Sequence, residues 1–424
     1  MTGAGTVSAL PAEFAAAEYA DRLARTRAVM QAVGCELLLV DRLEDVHWLT
    51  GASFAGTLYQ AVVVGLDAPP VIVLRRIDEP GLAGRPWGGQ SVGYADWEDP
   101  VSLVLDRLSS TSGRVGIDGA SNGLTVQRYR RIAAALGDRV VDASAALAAE
   151  RTVKSDAELA HMWHAAGIAD RAMADLAGLA RPGTPERELA VAAAGRYLRD
   201  GASCAHVGPL SVSRGRDDLH GTVGHAELAE GDVVHAELLP EFRGYAARIM
   251  RSVAVGRPDP VAVQVVERLV ELQDAQLAAM VPGAGARDVD AIVRDPLVGS
   301  GLRTDAPNVT GYAVGLYGIP RTNLISDFTR TFTPAADWVL RERQTFHMYV
   351  SARGLAVSET VVVTRRARGV SAPRRAPCSP GAERQASGRC HDRAVSAPAA
   401  TSGGGSASPS ACAAPRSERS CCAA

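Results

Sequence analysis

Two pairs of polar residues stand at strand spacing inside otherwise apolar runs. In GDVVHAELLPEFRG (231–244), His235 and Glu237 are two apart; in QTFHMYVSARG (344–354), so are His347 and Tyr349. Alternate residues of a strand share a face, so each pair points to one side of its strand. An imidazole titrates near neutrality and can take or give a proton. A carboxylate can orient water or hold an amide or cationic group. Arg248, in GYAARIMR (244–251), adds a cation that does not deprotonate. Opposed strands that bring these residues together would put two histidines, a carboxylate and an arginine in one cavity. Such a set can polarise an amide or amidine, activate water and protonate a departing nitrogen. The alternative for His235 and His347 is that they are buried structural histidines. His47, His161 and His164 read as structural. The last two lie on one helix at i, i+3, but nothing nearby completes a metal pair.

These residues need strands and helices to hold them. From Tyr19 to Ala149, short apolar runs such as ELLLV (36–40), AVVVGL (61–66) and PVIVLRR (70–76) alternate with helical patterns. That alternation predicts an α/β domain. A long helix is predicted after Ser155, which can cap it ahead of Asp156 and Glu158. Another follows PGTPEREL (182–189), with Thr184 as N-cap and Pro185 at the first helical position. Strand patterns dominate after Ala202, interrupted by a helix over 260–280 and a second after Ala286. From about Ala367 the chain has no Leu, Ile, Phe, Tyr or Trp. It cannot bury enough apolar surface to offset ordering entropy, so 367–424 is expected to be a disordered tail. A natural linker-like tail and a shifted reading frame in a GC-rich gene both account for it.

The 424 residues suit two domains, and 47% hydrophobic with 22% charged residues is ordinary for a soluble globular protein. A net charge of -2 gives no electrostatic case for nucleic acid or an anionic membrane. No apolar run approaches the roughly 20 residues needed to span a bilayer. No basic region precedes an apolar core at the N-terminus, so a cytoplasmic location is expected. Cys35 and Cys204 read as buried small hydrophobes, and the other five cysteines lie in the tail.

Several pieces resemble, in order, the creatinase, prolidase and Xaa-Pro aminopeptidase family: HWLTG (47–51), ERTVKSDAEL (150–159), PGTPEREL (182–189), GYAARIMR (244–251) and SETVVVT (358–364). The resemblance implies an α/β N-terminal domain of the creatinase type over 15–149. It implies an α+β pita-bread catalytic domain over 150–366, and a homodimer acting on a small-molecule substrate. It also places His220, eleven residues before Gly231, where the family keeps a histidine that serves proton transfer. In metal-dependent members two aspartates eleven residues apart occupy the places of Glu237 and Arg248. A histidine ligand falls at Tyr312 in GYAVG (311–315), a glutamate near Tyr349, and a last glutamate at Glu359.

Two dications about 3.5–4 Å apart need bridging carboxylates. A guanidinium at about 4 Å would repel each unit of metal charge by roughly 4 kcal/mol at an effective dielectric near 20. The expectation is therefore no metal, and the alternative is two manganese or cobalt ions, disfavoured by Arg248 and Tyr312. Creatinase and ectoine hydrolase are metal-free hydrolases of this fold, and the resemblance implies similar C–N hydrolysis here. The expected catalytic residues are His220, Glu359 and Glu237. His235, Arg248, Tyr312, His347 and Tyr349 are expected to bind substrate, Arg248 through a carboxylate. The alternatives are a metal-dependent Xaa-Pro aminopeptidase or dipeptidase, and a non-catalytic binding protein. Creatinase itself carries an arginine soon after the tight turn of its N-terminal domain. GASFAGTLYQ (51–60) has none, which leaves Phe54 or Tyr59 to reach a partner subunit and makes creatine a poor substrate.

Overall fold

The apolar runs of the first half become strands buried on both faces. The computed structural model describes residues 13–52, 58–213, 219–317, 327–365 and 368–369. The first half holds β1 (Leu37–Val40), β2 (Ala61–Gly65), β3 (Val71–Arg75), β4 (Gln90–Tyr94), β5 (Val115–Ile117) and β6 (Val140–Asp142). Around them lie α1 (Ala16–Val33), α2 (Leu43–Thr50), α3 (Pro100–Leu108), α4 (Val126–Leu136) and α5 (Ser144–Thr152). The sheet order is β4-β3-β2-β1-β5-β6, antiparallel from β1 to β3 and parallel elsewhere. Strand alternation decides the packing. Leu38 and Val40 join the core shared with α1 and α2, while Leu39 joins the one under α3 and α4.

The second half runs α6 (Asp156–Leu179), α7 (Glu186–Arg199), β7 (Leu210–Ser213), β8 (Val233–Leu238), β9 (Glu241–Phe242), β10 (Tyr245–Ala246) and β11 (Ile249–Ala254). It continues with α8 (Pro260–Ala278), α9 (Ala286–Gly299), β12 (Gly311–Ala313), β13 (Asp327–Phe332), β14 (Thr345–Ala352), β15 (Leu355–Val362) and β16 (Arg368–Gly369). A three-stranded antiparallel sheet, β11-β8-β7, carries α6 and α7 on one face. A five-stranded one, β13-β12-β14-β15-β16, is backed by α8 and α9. Within this second half the two sheet-and-helix units repeat each other. Pro185 ahead of α7 bridges Glu227, and Gly285 ahead of α9 bridges Val339.

The capping box at Ser155 and Glu158 forms as expected. At α7 the start falls one residue later than the sequence suggests. Pro185 stays extended because it pairs with Glu227, and the Thr184 hydroxyl bonds back to the Leu179 carbonyl instead of capping. The expected tail over 367–424 lies outside the described residues, apart from the backbone of β16. No helix among the described residues is long and apolar enough to cross a membrane.

The two halves share a core. Glu158 is buried between them and accepts from Trp48 Nε1 at 3.1 Å and from the Tyr245 hydroxyl at 2.8 Å. Beside it, His161 packs against Phe14 at 4.7 Å, Tyr245 at 5.5 Å and Phe242 at 5.6 Å between ring centroids. Its Nδ1 is buried without a hydrogen-bond partner among the described residues. Burial first, then the charge of Arg243, push this imidazole down to about 4. The unfolded ring protonates near pH 6.5, so stability is lost as pH falls from there towards 4. Asp45, pushed up to about 6 by burial, acts in the opposite sense. A His161→Phe variant keeps Asp45 and removes the imidazole. Its fall in unfolding free energy between pH 7 and 5 is expected to be smaller by about 1–2 kcal/mol, after allowing for partial exposure of the ring. Denaturant titrations at the two pH values read this directly, and equal falls in both proteins refute it.

Candidate active site

Strand parity sorts the candidate residues. On β8, Val234, Ala236 and Leu238 pack under α6 and α7, so His235 and Glu237 face the other way. On β14, Phe346 and Met348 pack towards α8 and α9, which turns His347 and Tyr349 to the opposite face. Tyr312 on β12 stands directly opposite His347. Ring centroids lie 5.1 Å apart for Tyr312 and His347, and 5.4 Å for His347 and Tyr349, which stack at 17°. Asn308 Nδ2 donates to the Tyr349 hydroxyl at 3.3 Å.

Arg248 ties the two sheets together. Its amide donates to Thr360 Oγ1 at 2.7 Å, and that hydroxyl donates back to the Arg248 carbonyl at 2.9 Å. Its guanidinium sits 5.5 Å from the Tyr312 ring centre. Nε and Nη2 both engage Glu237 Oε1, so the residues at the two expected aspartate places form a buried ion pair with each other. Glu237 is 0% exposed and Arg248 7%. Burial, and then Arg248, hold His347 well below the usual imidazole range, so its ring is neutral. Burial also pushes both phenols, Tyr312 and Tyr349, up and keeps them protonated.

Other expected site residues fall elsewhere. Glu359 pairs in register with Met348, not His347, and so faces the helix side. There Arg251 Nη2 donates to it at 2.7 Å. The residue turned towards Tyr349 is Ser358, which the sequence reading missed. The parity of SETVVVT was the available signal, but it becomes usable only once the register is known. His235 stands between Ser211 and Ser252 across the sheet. His220 is exposed in the loop ahead of β8. Tyr59 is buried and donates to Asp41 at 3.0 Å, so it does not reach outward to a partner. Phe54 lies outside the described residues. His47 bonds Glu13 at 2.8 Å and His164 bonds the Asp200 carbonyl at 3.2 Å, the structural roles expected of them.

The donor set does not fit a dinuclear centre. Its one front-facing carboxylate among the described residues, Glu237, is engaged by a guanidinium, and its phenols stay protonated. No group of three or more His, Cys, Asp or Glu side chains among the described residues is placed to hold a metal ion.

Residues 160–365 match metallopeptidase family M24, and residues 22–153 match the creatinase/prolidase N-terminal domain. A probable dipeptidase PepE of Mycobacterium tuberculosis is 30% identical over 310 residues, which is 72% of this chain and 81% of that protein. An uncharacterized hydrolase/peptidase of Sinorhizobium fredii is 26% identical over 376 residues, 84% of this chain and 94% of its own. The crystal structure of dipeptidase PepE from Mycobacterium ulcerans superposes with a TM-score of 0.73 at 26% identity, over 86% of this chain and 98% of that one. The prolidase from Pyrococcus horikoshii OT3 gives 0.73 at 17% identity, over 84% and 99%, and speaks to the fold alone. Fold and relatives together define a pita-bread hydrolase of C–N bonds. The chain belongs to metallopeptidase family M24, with a creatinase/prolidase N-terminal domain ahead of the catalytic one.

Proposed function

We propose that this chain hydrolyses a C–N bond in a small amide or dipeptide-like molecule without a metal ion. The observation that carries this reading is the Glu237–Arg248 ion pair buried beside Tyr312. Arg248 Nη1, the guanidinium nitrogen not engaged by Glu237, donates to the substrate oxygen, the electrostatic task that a preorganised donor performs in a dry site. Water adds to the carbonyl carbon, and its proton passes to an imidazole and then to the leaving nitrogen. An acid and an amine depart. Proton transfer falls to His220 or His347, and alanine variants separate them: loss of the catalytic ring costs about 10²–10⁴ in kcat. Glu359, turned away and paired with Arg251, is left a positioning role at the seam between the sheets.

The names of the relatives favour a second reading, a metal-dependent dipeptidase. Elemental analysis of the purified protein, with activity on an X-Pro dipeptide and on small amides, decides between them. Metal independence predicts sub-stoichiometric metal and turnover that survives EDTA. Two manganese or cobalt ions per chain, with activity that rises on their addition, would overturn it. Absence of turnover on every substrate under both conditions would instead support a binding protein.

A further inference from the structure

Four buried polar atoms on the front of the two sheets have no hydrogen-bond partner among the described residues: Glu237 Oε2, Nδ1 and Nε2 of His347, and Ser358 Oγ. All three residues are 0% exposed. A buried polar atom left without a hydrogen bond costs about 1–3 kcal/mol, so this face is built to receive a polar guest. Their positions connect. His347 neighbours Tyr312, Tyr312 lies beside the Arg248 guanidinium, and Arg248 holds Glu237. Ser358 stands across from Tyr349, which stacks on His347.

We propose that this face binds a neutral amide edge, a C=O beside an N–H as in a primary amide or a lactam, and rejects a free carboxylate or an ammonium group. The proposal rests on the metal-independent reading above and narrows its substrate class. Charge gives the first reason. Glu237 and Arg248 cancel, so the face is net neutral, and a charged guest would bury an uncompensated charge at a cost of several kcal/mol. A carboxylate drawn to Arg248 also meets Glu237, and an ammonium drawn to Glu237 also meets Arg248. Hydrogen-bond type gives the second reason. Glu237 Oε2 can only accept. Arg248 Nη1, the guanidinium nitrogen not engaged with Glu237, can only donate. A neutral His347 offers one donor and one acceptor, and Ser358 offers both. A guest that satisfies this set must accept and donate side by side without carrying charge. Amides do so. Esters and ketones lack the N–H, and amidines are cationic at neutral pH.

The test uses the full chain, treated with EDTA and assayed for metal. Binding of 2-pyrrolidinone, propionamide, propionate and propylammonium is measured by ligand-observed NMR titration. The two amides are expected to bind on the order of tenfold or more tightly than the two ions. A Ser358→Ala variant removes a hydroxyl that has no partner among the described residues, so the fold is kept. It is expected to weaken both amides by about 3–10-fold. Equal or tighter binding of propionate or propylammonium overturns the proposal. So does amide binding that Ser358→Ala leaves unchanged, or no amide binding at millimolar concentration. Amide selectivity in the metal-free protein, with turnover only after manganese is added, would sink the metal-independent reading and leave this one standing.

Discussion

Replacing Arg248 with methionine is expected to cost about 3–5 kcal/mol of stability and to abolish turnover, because it strands the Glu237 carboxylate in the interior. Glu237 is fully buried, and its Oε1 is engaged by two guanidinium nitrogens while its Oε2 has no partner among the described residues. With the cation gone, the carboxylate must either stay charged in an apolar setting or take a proton, and either is costly. A Glu237→Leu/Arg248→Met double variant removes both charges, and its predicted stability lies within about 1–2 kcal/mol of the parent, since well-packed apolar replacements of buried ion pairs are often neutral or better. Guanidinium chloride midpoints for the parent, both single variants and the double variant close a thermodynamic cycle. A single-variant loss below about 1 kcal/mol would mean that the pair is solvated and does not fill the site.

The second large effect sits at the junction of the halves. Glu158→Leu is expected to cost about 3–5 kcal/mol, because one buried carboxylate serves three donors and faces a buried cation. Trp48 Nε1 and the Tyr245 hydroxyl donate to Oε1, the Ser155 amide donates to Oε2, and Arg22 Nη2 lies 3.8 Å away. Burial alone would raise this carboxyl, but the charges of Arg22 and Lys154, together with the hydrogen bonds from Ser155 and Tyr245, outweigh it and hold the group below its usual range. Glu158→Gln keeps hydrogen-bonding atoms but leaves Arg22 with Glu18 as its one close carboxylate among the described residues, so an intermediate loss of about 1–3 kcal/mol is expected. Equilibrium unfolding of the two variants tests the ranking, and a leucine variant as stable as the parent would show that the halves are held by apolar packing alone.

Much of this architecture is readable from local pattern. The pairing of His235 with Glu237 and of His347 with Tyr349 on shared faces follows from a period of two, which tertiary context cannot alter within a regular strand. The buried strands of the first half announce themselves as β-branched runs, and the Ser155–Glu158 capping box is a four-residue signal. Glu359 shows where local reading stops. A two-residue turn at Arg353 and Gly354, with φ of 52° and 74°, sets Ala352 opposite Leu355 and hence Met348 opposite Glu359. One residue of slip would have turned Glu359 into the site and Ser358 out of it. Pro185 is a similar case, kept out of α7 by a bridge to a residue more than forty positions away.

The chain by itself determined the family, the order of the elements and the replacement of expected aspartates by Glu237 and Arg248, because these depend on residue identity and short-range spacing. Only the tertiary structure decided that those two charges face each other, that His347 is sealed beside them, and that Glu359 turns away to Arg251. Those outcomes depend on strand register and on which buried groups meet, and a charge in the interior is governed by its nearest neighbour in space, wherever that neighbour stands in the sequence.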